Sequence, residues 1–296
     1  NRAMSAIIEM LKPDFLLHHA IWGSVVVGFV CPLVGVYFVL RRLIFWGVAL
    51  PQVSASGIAF AFMLQGLGLN FLAGGERQEK HLAIAGALVF TLGTILILAA
   101  LSRSPHAERA EGRIGALYAL AGAASILFVA WNAAGETEML GLLKGEIISI
   151  SESDFHAMLN VFGLVAACMF LFQREFTLVS YDRDMAVTLG RNVLLWDLLL
   201  YLIIGVTISL GVMTVGPLVI FGFLVIPPMA ALPWAGGMLS LSLLASLIGG
   251  LSAFAGFYLS YTHDLPLGPV VVCVACGIFL LSSAAQSFFT RLKFLH

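Results

Sequence analysis

The sequence predicts an all-α, polytopic integral membrane protein with about eight or nine transmembrane helices in a helical bundle, and three observations predict it. Hydrophobic residues make up 60% of the chain and charged residues only 10%, at a mean hydropathy of +1.02. Soluble domains carry about 25% charged residues, so a water-facing surface cannot be built from this composition. The chain also divides into long apolar runs, 20–40, 44–72, 82–101, 114–134, 157–173, 198–233, 235–262 and 265–290, none of which holds Asp, Glu, Lys, Arg or His. A helix crossing a bilayer core needs roughly 20 such residues. Finally, the runs are continuous, whereas barrel strands alternate polar and apolar over about ten residues. Backbone groups in lipid must then be satisfied within helices.

Each element follows from its own residues. The segment 3–11 is too short to cross and reads as an interfacial helix, and with Glu9, Lys12 and Asp14 the first residues do not read as a cleaved signal peptide. Run 20–40 stops at Arg41-Arg42. Run 44–72 contains Pro51-Gln52-Val53-Ser54-Ala55-Ser56-Gly57, which combines a kink with polar side chains. That stretch reads equally as part of a path or as small-residue helix packing. Runs 82–101 and 114–134 are uninterrupted spans. The segment 132–155, with Glu136, Glu138, Lys144, Glu146, Glu152 and Asp154, reads as an external loop with a re-entrant or interfacial piece.

After run 157–173 comes the longest charged connection, 174–196. Within it Asp182 is a good N-cap, and Gly190 and Asn192 suit a helix stop. Met185, Ala186 and Leu189 give a short apolar face, the form of a docking helix or of a loop helix lying on lipid. Run 198–233 is long enough for two short helices, broken at Gly216-Pro217 and ending at Pro227-Pro228. In run 235–262, Gly249, Gly250, Ser252 and Gly256 read as a packing seam. Cys273 and Cys276 have C-x-x-C spacing in the last run, with no His or second pair nearby, so packing is the reading there too.

Lys and Arg favour cytoplasmic loops. With Arg41 and Arg42 inside, the inner connections also hold Arg103, Arg109, Arg113, Arg174, Arg183, Arg191, Arg291 and Lys293, against Arg2, Lys12, Arg77, Lys80 and Lys144 outside. This bias predicts an external N-terminus and a cytoplasmic C-terminus. No segment is basic enough for a nucleic-acid partner.

What the runs lack weighs against several function classes, though backbone carbonyls at unwound helices can still coordinate sodium. Ion-coupled carriers place ionisable groups within the membrane, and these runs have none. The chain has no G-x-x-x-x-G-K-[S/T] loop, so it carries no P-loop ATP site of its own. No set of catalytic or redox groups is buried in the spans. A non-enzymatic framework moved by another protein fits best.

Several segments in order carry a family resemblance. They are Arg41-Arg42-Leu43 with Gly47, Ala49-Leu50 and Gly57; Glu111-Gly112-Arg113-Ile114-Gly115; and Leu142-Leu143-Lys144-Gly145 with Ser151 and Asp154. Next come Asp182, Ala186 and Leu189-Gly190 followed by Asp197-Leu198-Leu199, then Val215-Gly216-Pro217-Leu218 with Leu224-Val225-Ile226-Pro227, and finally Tyr261 with Asp264-Leu265-Pro266-Leu267-Gly268. Together they cover about 33–280, and the chain resembles the zinc/manganese/iron permease family of ABC transporters. The resemblance implies a single transmembrane permease domain over 1–296 in a bacterial cytoplasmic membrane, importing a divalent metal, zinc first and manganese second. It implies a second permease copy in a homodimer, two ATPase subunits that bind the ATP, and a periplasmic or lipid-anchored metal-binding protein. This chain itself would hold no cofactor.

Carried onto this sequence, Asp182, Ala186, Leu189 and Gly190 fall on the ATPase-docking loop, about 174–196. Pro51, Gln52, Gly216, Pro217 and Pro227 fall on the translocation path. Asp264, with neighbouring His263, falls on the last external turn as a candidate metal ligand. His18, His19, His81 and the Glu136/Glu138 pair share that side, and each alone reads as interfacial. One departure stands out. Where the family commonly has Asp-x-x-Ser-His, this chain has Val48, Pro51 and Gln52, and neither Val48 nor Pro51 can ligate a metal. The rival readings are a permease for a metal chelate such as a siderophore or cobalamin, and a non-transporting membrane assembly or sensor subunit.

Overall fold

The computed structural model describes residues 18–67, 76–101, 110–131 and 152–294. The segment 3–11, the external segment 132–151 with Glu136, Glu138 and Lys144, and the basic residues Arg2, Lys12, Arg103 and Arg109 lie outside the described residues. Among the described residues all regular structure is helical: α1 His18–Leu40, α2 Ile44–Gly66, α3 Glu76–Leu101, α4 Ala110–Ala130, α5 Glu152–Leu171, α6 Gln173–Tyr181, α7 Arg183–Thr188, α8 Val193–Val215, α9 Pro217–Ala231, α10 Met238–His263 and α11 Leu267–Phe294. Eight of these are long and apolar enough to cross a membrane, and nine if the bent pair α5–α6 is one further span.

The helices begin and end where local chemistry directs. The N–H groups of Arg42 and Leu43 bond back to the carbonyls of Val39 and Phe38, closing the end of α1 with Arg42 left-handed at φ 56°. The break between α8 and α9 is made by Gly216, at φ 83° and ψ 163°, with Pro217 as the first residue of α9. That backbone region is essentially reserved for glycine. α8 starts at Val193 rather than at 198, because the helix continues through the paired carboxylate of Asp197. The expected two short helices are therefore one of 23 residues and one of 15.

α1 and α2 form the centre. In α1 78% of the span is buried, against 17% in α4 and in α11. α1 packs on α10, α9 and α5, and α2 packs on α3 and α4. In lipid there is no hydrophobic drive between helices, so close backbone approach and dispersion supply the attraction. The seams show this. A Cβ on Gly28 would meet the Gly249 carbonyl at 2.8 Å, and one on Gly57 would strike the Gly86 carbonyl. The packing expected of Gly249, Gly250 and Gly256 is what the structure has.

The α1–α9 seam has a particular cause. Pro227 and Pro228 lie inside α9 and are buried, and a proline donates no N–H to the carbonyl four residues back. The carbonyl that Pro228 leaves free is that of Leu224, and Gly35 of α1 is packed directly against it, so that a Cβ there would strike its oxygen.

Candidate functional site

The segment 173–192 is more structured than a connecting loop. Arg174 and Glu175 sit in the first turn of α6, which leaves α5 at 65°. The bend is held by aromatic rings. Phe176 is fully buried, edge-on to Tyr37 at 5.9 Å, to Phe172 at 6.3 Å and to Trp196 at 5.8 Å between centroids. α6 is thereby fixed to α1 and α8.

α7 is a short helix of six residues built by its caps. The Asp182 carboxylate accepts from the Met185 N–H at 2.9 Å, as an N-cap should. At the other end the N–H groups of Gly190 and Arg191 bond to the Val187 and Ala186 carbonyls, each at 3.0 Å, with Gly190 left-handed at φ 70°. This is the Schellman arrangement, in which glycine avoids the Cβ penalty. The three residues expected to share an apolar face do not. Ala186 is buried against Val179 and Val193, while Met185 and Leu189, one helical turn apart, are exposed. Tyr181 and Val187 are exposed beside them. Asn192 does not stop α7 but caps α8, accepting from the Leu195 N–H at 3.2 Å.

Behind α7 lies a charged node that the apolar runs hide. Asp197 Oδ1 accepts from Arg41 Nη1 at 2.9 Å and Oδ2 from Arg183 Nη2 at 2.7 Å. Arg41 Nε donates to Ser180 Oγ at 2.8 Å, and its guanidinium lies 5.7 Å from the centre of the Tyr201 ring. Four elements thus converge on one buried carboxylate: the end of α1, α6, α7 and α8. In the sequence Arg41 and Asp197 stand 156 positions apart, each within a segment of the family resemblance, and nothing there pairs them.

The other singled-out residues lie elsewhere. Pro51 is buried in α2 and Gln52 is half-buried, its amide turned toward Gly122 of α4. Gly216 and Pro217 form the α8–α9 break. Asp264 is left-handed at φ 49° and ends α10, with its own N–H and that of Leu265 on the Ser260 carbonyl. His263 Nδ1 lies 3.2 Å from the Leu259 carbonyl of its own helix. Among the described residues no three His, Cys, Asp or Glu side chains gather where a metal ion would be held.

These features define a class: a polytopic, all-helical membrane protein in which a short capped helix with Met185 and Leu189 exposed lies between α6 and α8. The chain matches the ABC 3 transport family over residues 14–286, and it belongs to that family. It is similar to the zinc transport system membrane protein TroC of Treponema pallidum, 28% identical with 94% of this chain and 91% of that protein covered. It is also similar to the manganese transport system membrane protein MntC of Listeria monocytogenes, 26% identical with 93% and 92% covered. In fold it is similar to PsaBC from Streptococcus pneumoniae, solved in complex with Fab, at a TM-score of 0.82 and 23% identity, covering 98% of this chain and 99% of that one.

Proposed function

We propose that the chain is the transmembrane permease subunit of an ATP-driven importer of divalent metal ions, with zinc as the first cargo and manganese as the second. Its relatives' names support the cargo class. The observation that carries the reading is α7. A capped turn presenting Met185 and Leu189 outward, one helical turn apart, has the form of a helix that seats in a groove of another protein. In this reading residues 1–296 act as one permease domain in the bacterial cytoplasmic membrane, paired with a second copy. The Arg41 end and the C-terminus face the cytoplasm, and two ATPase subunits dock there. A metal-binding protein delivers cargo at the opposite face.

Within the docking element the roles divide. Leu189 with Met185 offers the contact, Asp182 and Gly190 shape the helix ends, and Ala186 seats the helix on the bundle. Pro51, Gln52, Gly216, Pro217 and Pro227 are assigned to the moving path, and His263 with Asp264 to the outer mouth. Replacement of Gly190 by Trp abolishes transport-coupled hydrolysis without unfolding the chain, whereas Asn, which tolerates a left-handed backbone, is milder. Wild-type coupling in G190W would remove the docking assignment.

The test of function is ATP-dependent uptake of zinc and manganese isotopes into proteoliposomes holding the permease, its ATPase and its binding protein. Saturable uptake of one ion, lost without ATP or binding protein, is the expected result. A chelate as cargo is the second reading, favoured by Val48, Pro51 and Gln52 standing where the family commonly has ligating side chains. It predicts no uptake of either free ion while the binding protein still stimulates hydrolysis.

A further inference from the structure

The docking helix is lightly held. In α7 only Ala186 is buried, and among the described residues two ion pairs tie 182–192 to the rest of the chain. Arg191 Nη2 lies 4.0 Å from Glu175 Oε1, which joins it only to neighbouring α6. Arg183 Nη2, at 2.7 Å from Asp197 Oδ2, reaches into α8.

The two arginines on Asp197 are not equivalent. The Arg41 side chain is 10% exposed and that of Arg183 58%, against 6% for Asp197 itself. Arg41 and Asp197 alone form a neutral buried pair, further fixed by Ser180 and Tyr201, with Arg41 Nη2 buried and unpartnered. Arg183 is the surplus cation, and its head is near water. It can leave Asp197 without stranding a buried charge, whereas Arg41 cannot. The node therefore has one permanent bond and one releasable bond, and the releasable bond belongs to the helix with the weakest packing.

We propose that Arg183–Asp197 is a latch that passes displacement of α7 to α8 and, through Arg41, to the end of α1, the most buried span of the bundle. Arg183 is on this account a positioning residue for transport, touching neither cargo nor nucleotide. The proposal rests on the reading of α7 as the ATPase-docking element.

The test uses the assembled permease, ATPase and binding protein in proteoliposomes and reads ions imported per ATP hydrolysed. With Arg183→Gln the ATPase subunit remains bound and hydrolysis continues, but ions per ATP fall roughly tenfold, in the range of typical coupling between sites. Arg183→Lys recovers part of the ratio, since the charge is kept and the planar fork is lost. An unchanged ratio in Arg183→Gln overturns the latch. Loss of the ATPase subunit from that variant also overturns it, by making Arg183 a docking contact, and leaves the docking reading standing. Retained ATPase and coupled uptake in G190W would instead sink the docking reading itself.

Discussion

Asp197→Asn is the substitution that the charged node makes most costly for its size. The carboxylate serves two guanidinium groups, at 2.9 Å and 2.7 Å. An asparagine has one acceptor oxygen, so one arginine must face an amide N–H group instead. The share lost with Arg183 is small, below about 1 kcal/mol, because that side chain is mostly exposed and screened. The larger share falls on Arg41, whose buried guanidinium loses its counter-charge and whose Nη2 already has no partner. Removing one member of a buried pair costs roughly 3–5 kcal/mol. The node lies at the end of the bundle rather than at its centre, so the lower limit applies, about 3 kcal/mol.

The assay is the fraction of protein remaining monodisperse in mild detergent after heating at a series of temperatures, with Arg183→Gln as the reference. Rates at one temperature are compared alongside, since unfolding in detergent is governed by kinetics when it is irreversible. A second arm removes both buried charges, Arg41→Met with Asp197→Leu, and recovers most of the loss, because what costs is the charge left alone. If Asp197→Asn proves no less stable than Arg183→Gln, the assignment of Arg41–Asp197 as the buried pair is wrong.

Gly216→Ala loses about 1–3 kcal/mol, because φ 83° with ψ 163° is a backbone region only glycine occupies at low cost; the same heating assay reads it, and a wild-type midpoint would refute the break geometry. Gly35→Ala forces α1 away from the Leu224 carbonyl and costs roughly 1–3 kcal/mol, as overpacking does. Gly93→Ala, where no atom lies within 4 Å of the added Cβ, is its control, and equal losses in the two would deny the α1–α9 contact its role.

Much of the architecture is legible along the chain because lipid imposes a one-dimensional rule: an apolar run of sufficient length becomes a helix. The run 20–40 becomes His18–Leu40 and the break before Pro217 falls where Gly216-Pro217 marks it. The Asp182 cap and the Gly190 stop are equally local and equally visible. What escapes is whatever depends on distant partners. Arg174 and Glu175 mark a loop by their charge, yet they open a helix because Phe176 is drawn into the rings of Tyr37, Phe172 and Trp196. Asp197 stands just before an apolar run in the sequence and is neutralised in space by Arg41, which follows α1. Met185, Ala186 and Leu189 are alike in hydropathy, and only the position of Val179 and Val193 decides that Ala186 alone turns inward.

The same contrast separates the stiff parts of the molecule from its most lightly held part, α7. At the seams Gly28–Gly249, Gly35–Leu224 and Gly57–Gly86, backbone meets backbone, and tight packing transmits strain because it has no slack to absorb it. α7 has no such seam; one alanine and one exposed arginine join it to the bundle. On the proposed latch, a force applied at α7 would meet little resistance until it reached Asp197, where Arg41 would hand it to the centre. Changes at the seams should act mainly on stability, and changes at Arg183 mainly on coupling. Parallel heating and uptake assays on Gly35→Ala and Arg183→Gln separate the two, and a variant pair with the effects exchanged would show that load and motion follow another route through the bundle.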